Sequence, residues 1–442
     1  MSLYSAIDLA GATVSSPAVS GGDQSALWSA ASSGSTRYWH HQMAGAVMRS
    51  YLISLACTLV LVPAQAMADA KQKIAAIAPS ALVLVTDENG SELVAQNSDK
   101  PFVPASVTKI VTAWLAMEIL GGDYRFETRF YLDGNRVLYI RGGGDPFLIS
   151  EELAGLATEL VAAIGKNPIS RIVLDASYYP SDIRIPGIED TAEAYDAVNS
   201  ALAVNFNTIY AVRKGKTVQS AEKQTPITPL AIRQFQTRGP KGRGRISLAQ
   251  EPAVGLKYAG ELIAAFIERA GGSVKGDIST GAVPEGLEPI YVHRQSRALS
   301  KILAALLLGS NNYIANQIFL EIGGHRLGGP VGLEKSLRVA NEMLAKHGLA
   351  ESIHIEEGSG ISRGNRFTAR GLARLLQLFE THATLLRRGD RTRFKTGTFS
   401  GVRTLAGYAD TSKHGRVRFV ISLRSGGGAM RFRLLKAIQS EL

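Results

Sequence analysis

Cysteine is nearly missing: the chain of 442 residues has one, Cys57. A lone thiol forms no intramolecular disulfide. Cys57 also lies inside an N-terminal leader, so cleavage of the leader leaves no cysteine nucleophile and no cysteine metal site. Histidine is sparse, with eight residues and no His-Glu-x-x-His pair. A zinc peptidase needs that spacing to put two ligands on one helix face, so no catalytic metal is expected, and no cofactor. His293, His325, His354 and His382 read as surface or packing residues. Acidic residues are in deficit, 38 against 49 Lys and Arg, and the net charge is +11. Such a balance suits nucleic acid, anionic lipid or acidic cell-wall polymer without choosing among them. Beyond the leader no run is long and apolar enough to span a bilayer, so no stable membrane span is expected.

The leader, residues 1–68, is unlike the rest. Its first 47 residues are rich in Ser, Ala and Gly. Met48-Arg49-Ser50 then supplies a basic start, Tyr51 to Val62 an apolar core, and Pro63-Ala-Gln-Ala-Met-Ala68 small-residue cleavage sites. These are the parts of a secretory signal peptide over about 48–68, cut after Ala66 or Ala68. Translation is expected to start at Met43 or Met48. The stretch Ser54-Leu-Ala-Cys57 is an incomplete lipoprotein box, since apolar sequence continues after the cysteine. The expected location is therefore periplasmic or secreted. Export also makes nucleic acid the weakest partner, with charge as its only support. Asp8 and Asp23 cancel Arg37 and Arg49, so the mature chain keeps its charge of +11.

Along the mature chain, Ala81–Val85 and Glu92–Ala95 flank the turn Asp87-Glu-Asn-Gly90 and read as a hairpin. Ile110, Val111, Trp114, Leu115, Ile119 and Leu120 recur at helical spacing, and Gly121-Gly122 ends that helix. From about 123 to 247 the texture turns to short strands, a helix at Glu151–Ile164 and many turn residues, an inserted mixed α/β subdomain. Strong helices resume at Gly260–Ala270, Leu299–Leu308, Ile314–Ile322, Leu333–His347 and Ala369–Thr381. Three late strands and a last helix from Met430 close the chain. This predicts an α+β fold in which 69–122 and 248–442 share one mostly antiparallel sheet covered by helices, with 123–247 hanging outside.

Three short motifs stand in order: Ser106-x-x-Lys109, Ser310-x-Asn312 and Lys395-Thr396-Gly397. Each is weak alone, and Ser-x-x-Lys occurs again at Ser220–Lys223 among polar residues. As a set, one opens a helix, one lies in a turn after an apolar helix, and one starts a late strand. The chemistry explains the residue types. Ser106 sits at a helix start with Lys109 on the same face. To attack a carbonyl it must lose its proton, and with no histidine in an evident position a lysine must take it. An ordinary lysine titrates near ~10.4. Burial beside a second cation, with Lys395 the candidate, would free the amine of Lys109. Ser310 can relay a proton to a leaving group, and Asn312 can orient Lys109 and hold a substrate amide. The Thr396-Gly397-Thr398 edge can pair with an extended peptide. The N–H groups of Ser106 and Thr398 would form an oxyanion hole. Gly215-Lys216-Thr217 lacks the upstream glycine of a phosphate loop, since Tyr210 stands there. The basic run Arg238–Arg245 reads as a solvated loop.

With this trio the chain resembles the low-molecular-mass class C penicillin-binding proteins, the D-alanyl-D-alanine carboxypeptidase/endopeptidase family related to serine β-lactamases. Gly143-Gly-Asp-Pro146, Glu357-Gly-Ser-Gly-Ile-Ser-Arg-Gly-Asn365 and the long insert add to the resemblance, although Glu357 stands where Asp is more usual. The resemblance implies Ser106 as acylated nucleophile and Lys109 as its base. It implies Ser310 and Asn312 as the second element, and Lys395 with Thr396 meeting the substrate carboxylate. Peptidoglycan peptides become the expected substrate and β-lactam antibiotics covalent inhibitors. The alternatives are a β-lactamase of the same fold and a non-catalytic peptidoglycan-binding protein.

Overall fold

The computed structural model describes residues 68–180, 183–424 and 427–442. The signal-peptide expectation falls almost wholly outside the described residues. In chain order, β1 (Leu82–Thr86) and β2 (Glu92–Gln96) form the expected hairpin. Asp87 builds its turn by accepting from the N–H groups of Asn89 and Ser91, and Gly90 takes a φ of +90° that a side chain would resist. A 3-10 turn over Ala105–Thr108 leads into α1 (Lys109–Ile119).

The next elements are β3 (Glu127–Leu132), β4 (Val137–Gly142), α2 (Ser150–Ile164), β5 (Arg171–Asp175), β6 (Thr208–Lys214), β7 (Thr217–Ser220), α3 (Pro229–Arg238) and β8 (Gly242–Ser247). Then follow α4 (Pro252–Arg269), β9 (Ile278–Thr280) and β10 (Tyr291–Arg294). A run of helices comes next: α5 (Leu299–Gly309), α6 (Asn312–Leu327) and α7 (Leu333–Lys346). The chain ends with β11 (Ile353–His354), β12 (Arg366–Phe367), α8 (Ala369–Leu378), β13 (Arg387–Gly389), β14 (Thr392–Phe399), β15 (Val402–Asp410), β16 (Arg416–Leu423) and α9 (Gly428–Glu441).

The six-stranded sheet runs β13-β14-β15-β16-β1-β2 and is antiparallel throughout. Front and back of the chain therefore meet where β1 pairs with β16, Leu82 opposite Ser422 and Thr86 opposite Arg418. All five residues of β1 are buried, as a strand covered on both faces requires. Helix α8 packs on β1 and β16, and α9 on β15 and β16. Helix α6 is buried almost all round from Tyr313 to Gly324, so its apolar residues follow no single stripe. This is the α+β architecture expected from the sequence.

The stretch between α1 and α5 builds its own sheets. One has the order β10-β3-β4-β5-β9, and a second the order β7-β6-β8. The β4-β5-β9 pairings are parallel and the β10-β3-β4 pairings antiparallel. Two of the strands, β9 and β10, come from beyond the boundary read at residue 248, so residues up to 294 complete the sheet that β3 begins. Entry and exit run side by side: Gln295 N–H donates to Phe126 O and Leu299 N–H to Tyr124 O, both at 2.9 Å. The core of this region joins Phe130, Ile140 and Leu174 to Leu256, Leu262 and Phe266 of α4.

Candidate active site

Ser106 lies in the 3-10 turn, and the backbone of the preceding Ala105 is left-handed, with φ +49°. Strand β14 presses on this turn. A Cβ at Gly397 would stand 2.1 Å from Thr404 Oγ1 and 2.6 Å from Pro104 O, so only glycine permits the approach. Thr404 Oγ1 itself donates to Pro104 O at 2.8 Å, pinning β15 to the turn. From the other side, a Cβ at Gly360 would meet Ala105 O at 2.0 Å.

Lys109 is fully buried one helical turn beyond Ser106. Its Nζ lies 3.0 Å from Ser106 Oγ, 2.7 Å from Asn312 Oδ1 and 2.6 Å from Ser359 O. Burial, and then the charge of Lys395, hold its pKa well below the ordinary lysine value, with Glu357 acting in the opposite sense. The last two acceptors are carbonyl oxygens that cannot donate. A neutral amine therefore gives its two N–H groups to them and turns its lone pair to Ser106. That is the arrangement of a base and a nucleophile.

Helix α5 ends at Ser310, whose φ of +58° reverses the chain, and Asn311 Oδ1 caps α6 by accepting from Ile314 N–H at 3.0 Å. This turn aims both Ser310 and Asn312 into the cleft. Ser310 Oγ accepts from Lys395 Nζ at 2.8 Å, and Lys395 also donates to Thr396 O at 2.9 Å. Burial foremost, then the charges of Arg431 and Arg387, bring the pKa of Lys395 to about 7. Thr398 is exposed at the strand edge. Asn312 Nδ2 reaches Tyr195 O at 3.4 Å, so a residue of the insert stands at the rim.

Thus Ser106, Lys109, Ser310, Asn312 and Lys395, chosen from sequence, come together, with Thr396, Gly397 and Thr398 along one edge. Ser220 and Lys223 lie far off in chain order, in and after β7 of the insert. Three contributors were missed. Ser359 supplies a backbone carbonyl, which leaves no mark in a sequence. Glu357, in a loop singled out only for its resemblance, is buried and accepts from Ser359 N–H, Ser359 Oγ, Gly360 N–H and Asn365 Nδ2 at 2.6–2.9 Å. Arg431 reaches in from α9 and donates to Gly397 O at 2.8 Å. Among the described residues no group of His, Cys, Asp and Glu is set to hold a metal.

A helix-covered antiparallel sheet of this kind, with a serine and two buried lysines beside its edge, is that of the penicillin-binding proteins and their β-lactamase relatives. The pattern of the D-Ala-D-Ala carboxypeptidase 3 (S13) family matches residues 64–238 and 211–390. The chain belongs to this family, and with it to the serine-type carboxypeptidases among the low-molecular-mass class C penicillin-binding proteins. It is similar to the D-alanyl-D-alanine carboxypeptidase of Actinomadura sp. (strain R39), 27% identical over 409 residues that cover 75% of each chain. It is similar to the D-alanyl-D-alanine carboxypeptidase DacB of Haemophilus influenzae, 23% identical over 75% of this chain and 82% of that protein. The crystal structure of penicillin-binding protein 4 (dacB) from Haemophilus influenzae superposes with a TM-score of 0.67 at 21% identity, covering 80% of this chain and 94% of that one. At that identity the likeness speaks for the fold.

Proposed function

We propose that this carboxypeptidase cleaves the D-alanyl-D-alanine ends of peptidoglycan stem peptides through an acyl-enzyme on Ser106. The observation that carries the reading is the 3.0 Å approach of Lys109 Nζ to Ser106 Oγ in a pocket whose other acceptors are carbonyls. Neutral Lys109 takes the proton of Ser106 as Oγ attacks the penultimate D-alanine carbonyl. The developing oxyanion is met by the N–H groups of Ser106 and Thr398. Ser310, whose oxygen is held by Lys395, passes its proton to the departing amine and is reprotonated through Lys395. Water then hydrolyses the ester. The same serine opens β-lactams, whose ring amide imitates the scissile bond; one Haemophilus influenzae penicillin-binding protein 4 structure holds a β-lactam.

Cleavage of D-alanyl cross-links, an endopeptidase activity, follows if the cleft admits a longer leaving group. Export to the periplasm or beyond, after removal of the leader, brings the enzyme to its substrate. No helix among the described residues is long and apolar enough to cross a membrane. The insert is proposed as a subdomain running from 123 to Gln295 that lends Tyr195 to the cleft rim. The test is labelling of the mature protein with fluorescent penicillin, with Ser106→Ala alongside and intact-mass analysis. One adduct, absent in the variant, is expected. Rapid penicillin turnover would point to a β-lactamase. No adduct and no peptide cleavage on folded protein would point to a binding protein.

A further inference from the structure

A free C-terminal carboxylate is held more firmly where a positive group stays charged beside it. Lys395 is poorly suited to do this alone. It is 2% exposed, and two of its three donors already go to Ser310 Oγ and Thr396 O. It also loses its proton at about pH 7. An arginine stays protonated throughout this range. One stands directly behind the same edge. Arg431, half-buried near the start of α9, places Nη1 2.8 Å from Gly397 O, 3.1 Å from Thr404 O and 3.3 Å from Thr398 Oγ1.

We infer that Arg431 is the positioning residue for the substrate's terminal carboxylate, acting through the hydroxyl of Thr398. A guanidinium has donors only. When it donates to Thr398 Oγ1, the hydroxyl uses its own O–H as a donor, and Thr398 is the exposed residue at the end of the Lys-Thr-Gly edge. The hydroxyl so turned donates more strongly to an anion than to the carbonyl of a neutral ester or amide. The two carbonyl bonds, to Gly397 on β14 and Thr404 on β15, keep the fork from swinging away. The fixed charge adds a field that does not titrate with Lys395. Lys395 is faced by Lys109 from α1, by Arg387 from β13 and by Arg431 from α9, and Arg431 is the largest charge effect upon it. Arg403, on β15, lowers the pKa of Arg431 after burial does, yet spends its own Nη1 on Phe399 O and Val402 O.

The inference rests on the D-alanyl-D-alanine reading, and the test separates the two. Two thioester substrates are compared on the mature protein: an acyl-D-alanyl-D-thiolactate with its carboxylate free, and the same compound as its methyl ester. Wild type is expected to prefer the free acid. R431Q is expected to lose about 10- to 100-fold in kcat/KM on the free acid, chiefly through KM, the range for one charge-assisted hydrogen bond. Its loss on the methyl ester should be at least about fivefold smaller than on the free acid. R431K should restore part of the preference, and Thr398→Val, which keeps the strand intact, should lose the preference as R431Q does. In R431Q the pH-profile limb that belongs to Lys395 should also move to higher pH, because its strongest repelling charge is gone. Equal losses on both substrates would make Arg431 a brace for β14 and overturn the inference, as would an unchanged preference in R431Q. A wild type that turns over neither substrate overturns the reading of the site and this inference with it.

Discussion

Helix α6 sets polar groups in two different surroundings, Asn312 half-buried at its start and Glu321 buried further along. At its first residue, Asn312 accepts from Lys109 in a cleft bounded by exposed Thr398 and by Tyr195. Further along, Glu321 accepts from Tyr124 Oη at 2.8 Å and from Tyr178 Oη at 3.1 Å. Burial drives both ionisable groups toward neutrality: Lys109 is held well below the usual lysine range, and Glu321 is raised to about 7. Their neighbours differ. Lys109 has a hydroxyl in reach, that of the proposed nucleophile Ser106, and an edge strand beside it. Glu321 has two phenols, both pushed above their ordinary pKa by burial and by Glu321 itself. A shifted pKa therefore marks a desolvated group; what stands within 3 Å of it, and whether a substrate can arrive there, marks a catalyst. The Glu321 cluster instead ties α6 to Tyr124, just before β3, and to Tyr178, just after β5.

Removing the reacting groups should separate the two sites most. Ser106→Ala and Lys109→Met should each lower the rate of penicillin acylation by ~10³-fold or more, the scale on which members of a catalytic unit fail. Glu321→Gln should leave that rate within about twofold, and stopped-flow labelling reads both. Next is Gly397→Ala, whose new Cβ would collide with Thr404 Oγ1 and Pro104 O. Displacing β14 from the nucleophile turn should cost about 10- to 100-fold in acylation and about 1–3 kcal/mol of stability, the usual cost of overpacking. Urea titration and labelling check it together.

The last two predictions concern stability and have opposite signs in pH. Lys395 titrates at about 7 in the folded chain against 10.5 unfolded. Between those values the unfolded state binds more protons, so stability rises with pH across the window and the cost of burying the amine is greatest below pH 7. Lys395→Met should raise the thermal midpoint at pH 6 and do so less at pH 10, while abolishing activity. Glu321 titrates at about 7 folded against 4.5 unfolded. There the folded state binds more protons, so stability falls as pH rises from 4.5 to 7. Glu321→Gln should stabilise by on the order of 3 kcal/mol at pH 8 and by almost nothing at pH 4. A stability difference that ignores pH would show that Glu321 titrates in the fold as it does in the unfolded chain.

Spacing along the chain carried most of the element pattern and the residue types proposed for the site. Ala81–Val85 read as a strand from its apolar run, and the structure sets that strand at Leu82–Thr86 and buries it. The α1 helix followed from its spacing, and the trio named Ser106, Lys109, Ser310, Asn312 and Lys395 because acyl transfer without histidine requires an amine base. Distances, and the groups that act through backbone or through long reach, were decided only by tertiary structure. The insert's edge is one case. β9 and β10 are three and four residues long, too short for a period to show, and only their pairing with β5 and β3 joins them to that sheet. The Ser359 carbonyl is another, since every residue has one and only the fold of the Glu357 loop brings this one to 2.6 Å from Lys109. Arg431 is the third. One arginine among many in a chain of charge +11 carries no signal, and it gains a role only where α9 sets its fork against Gly397 and Thr398. Local spacing records what a residue can do, while desolvation and opposition across strands, which decide what it does do, arise from parts of the chain hundreds of residues apart.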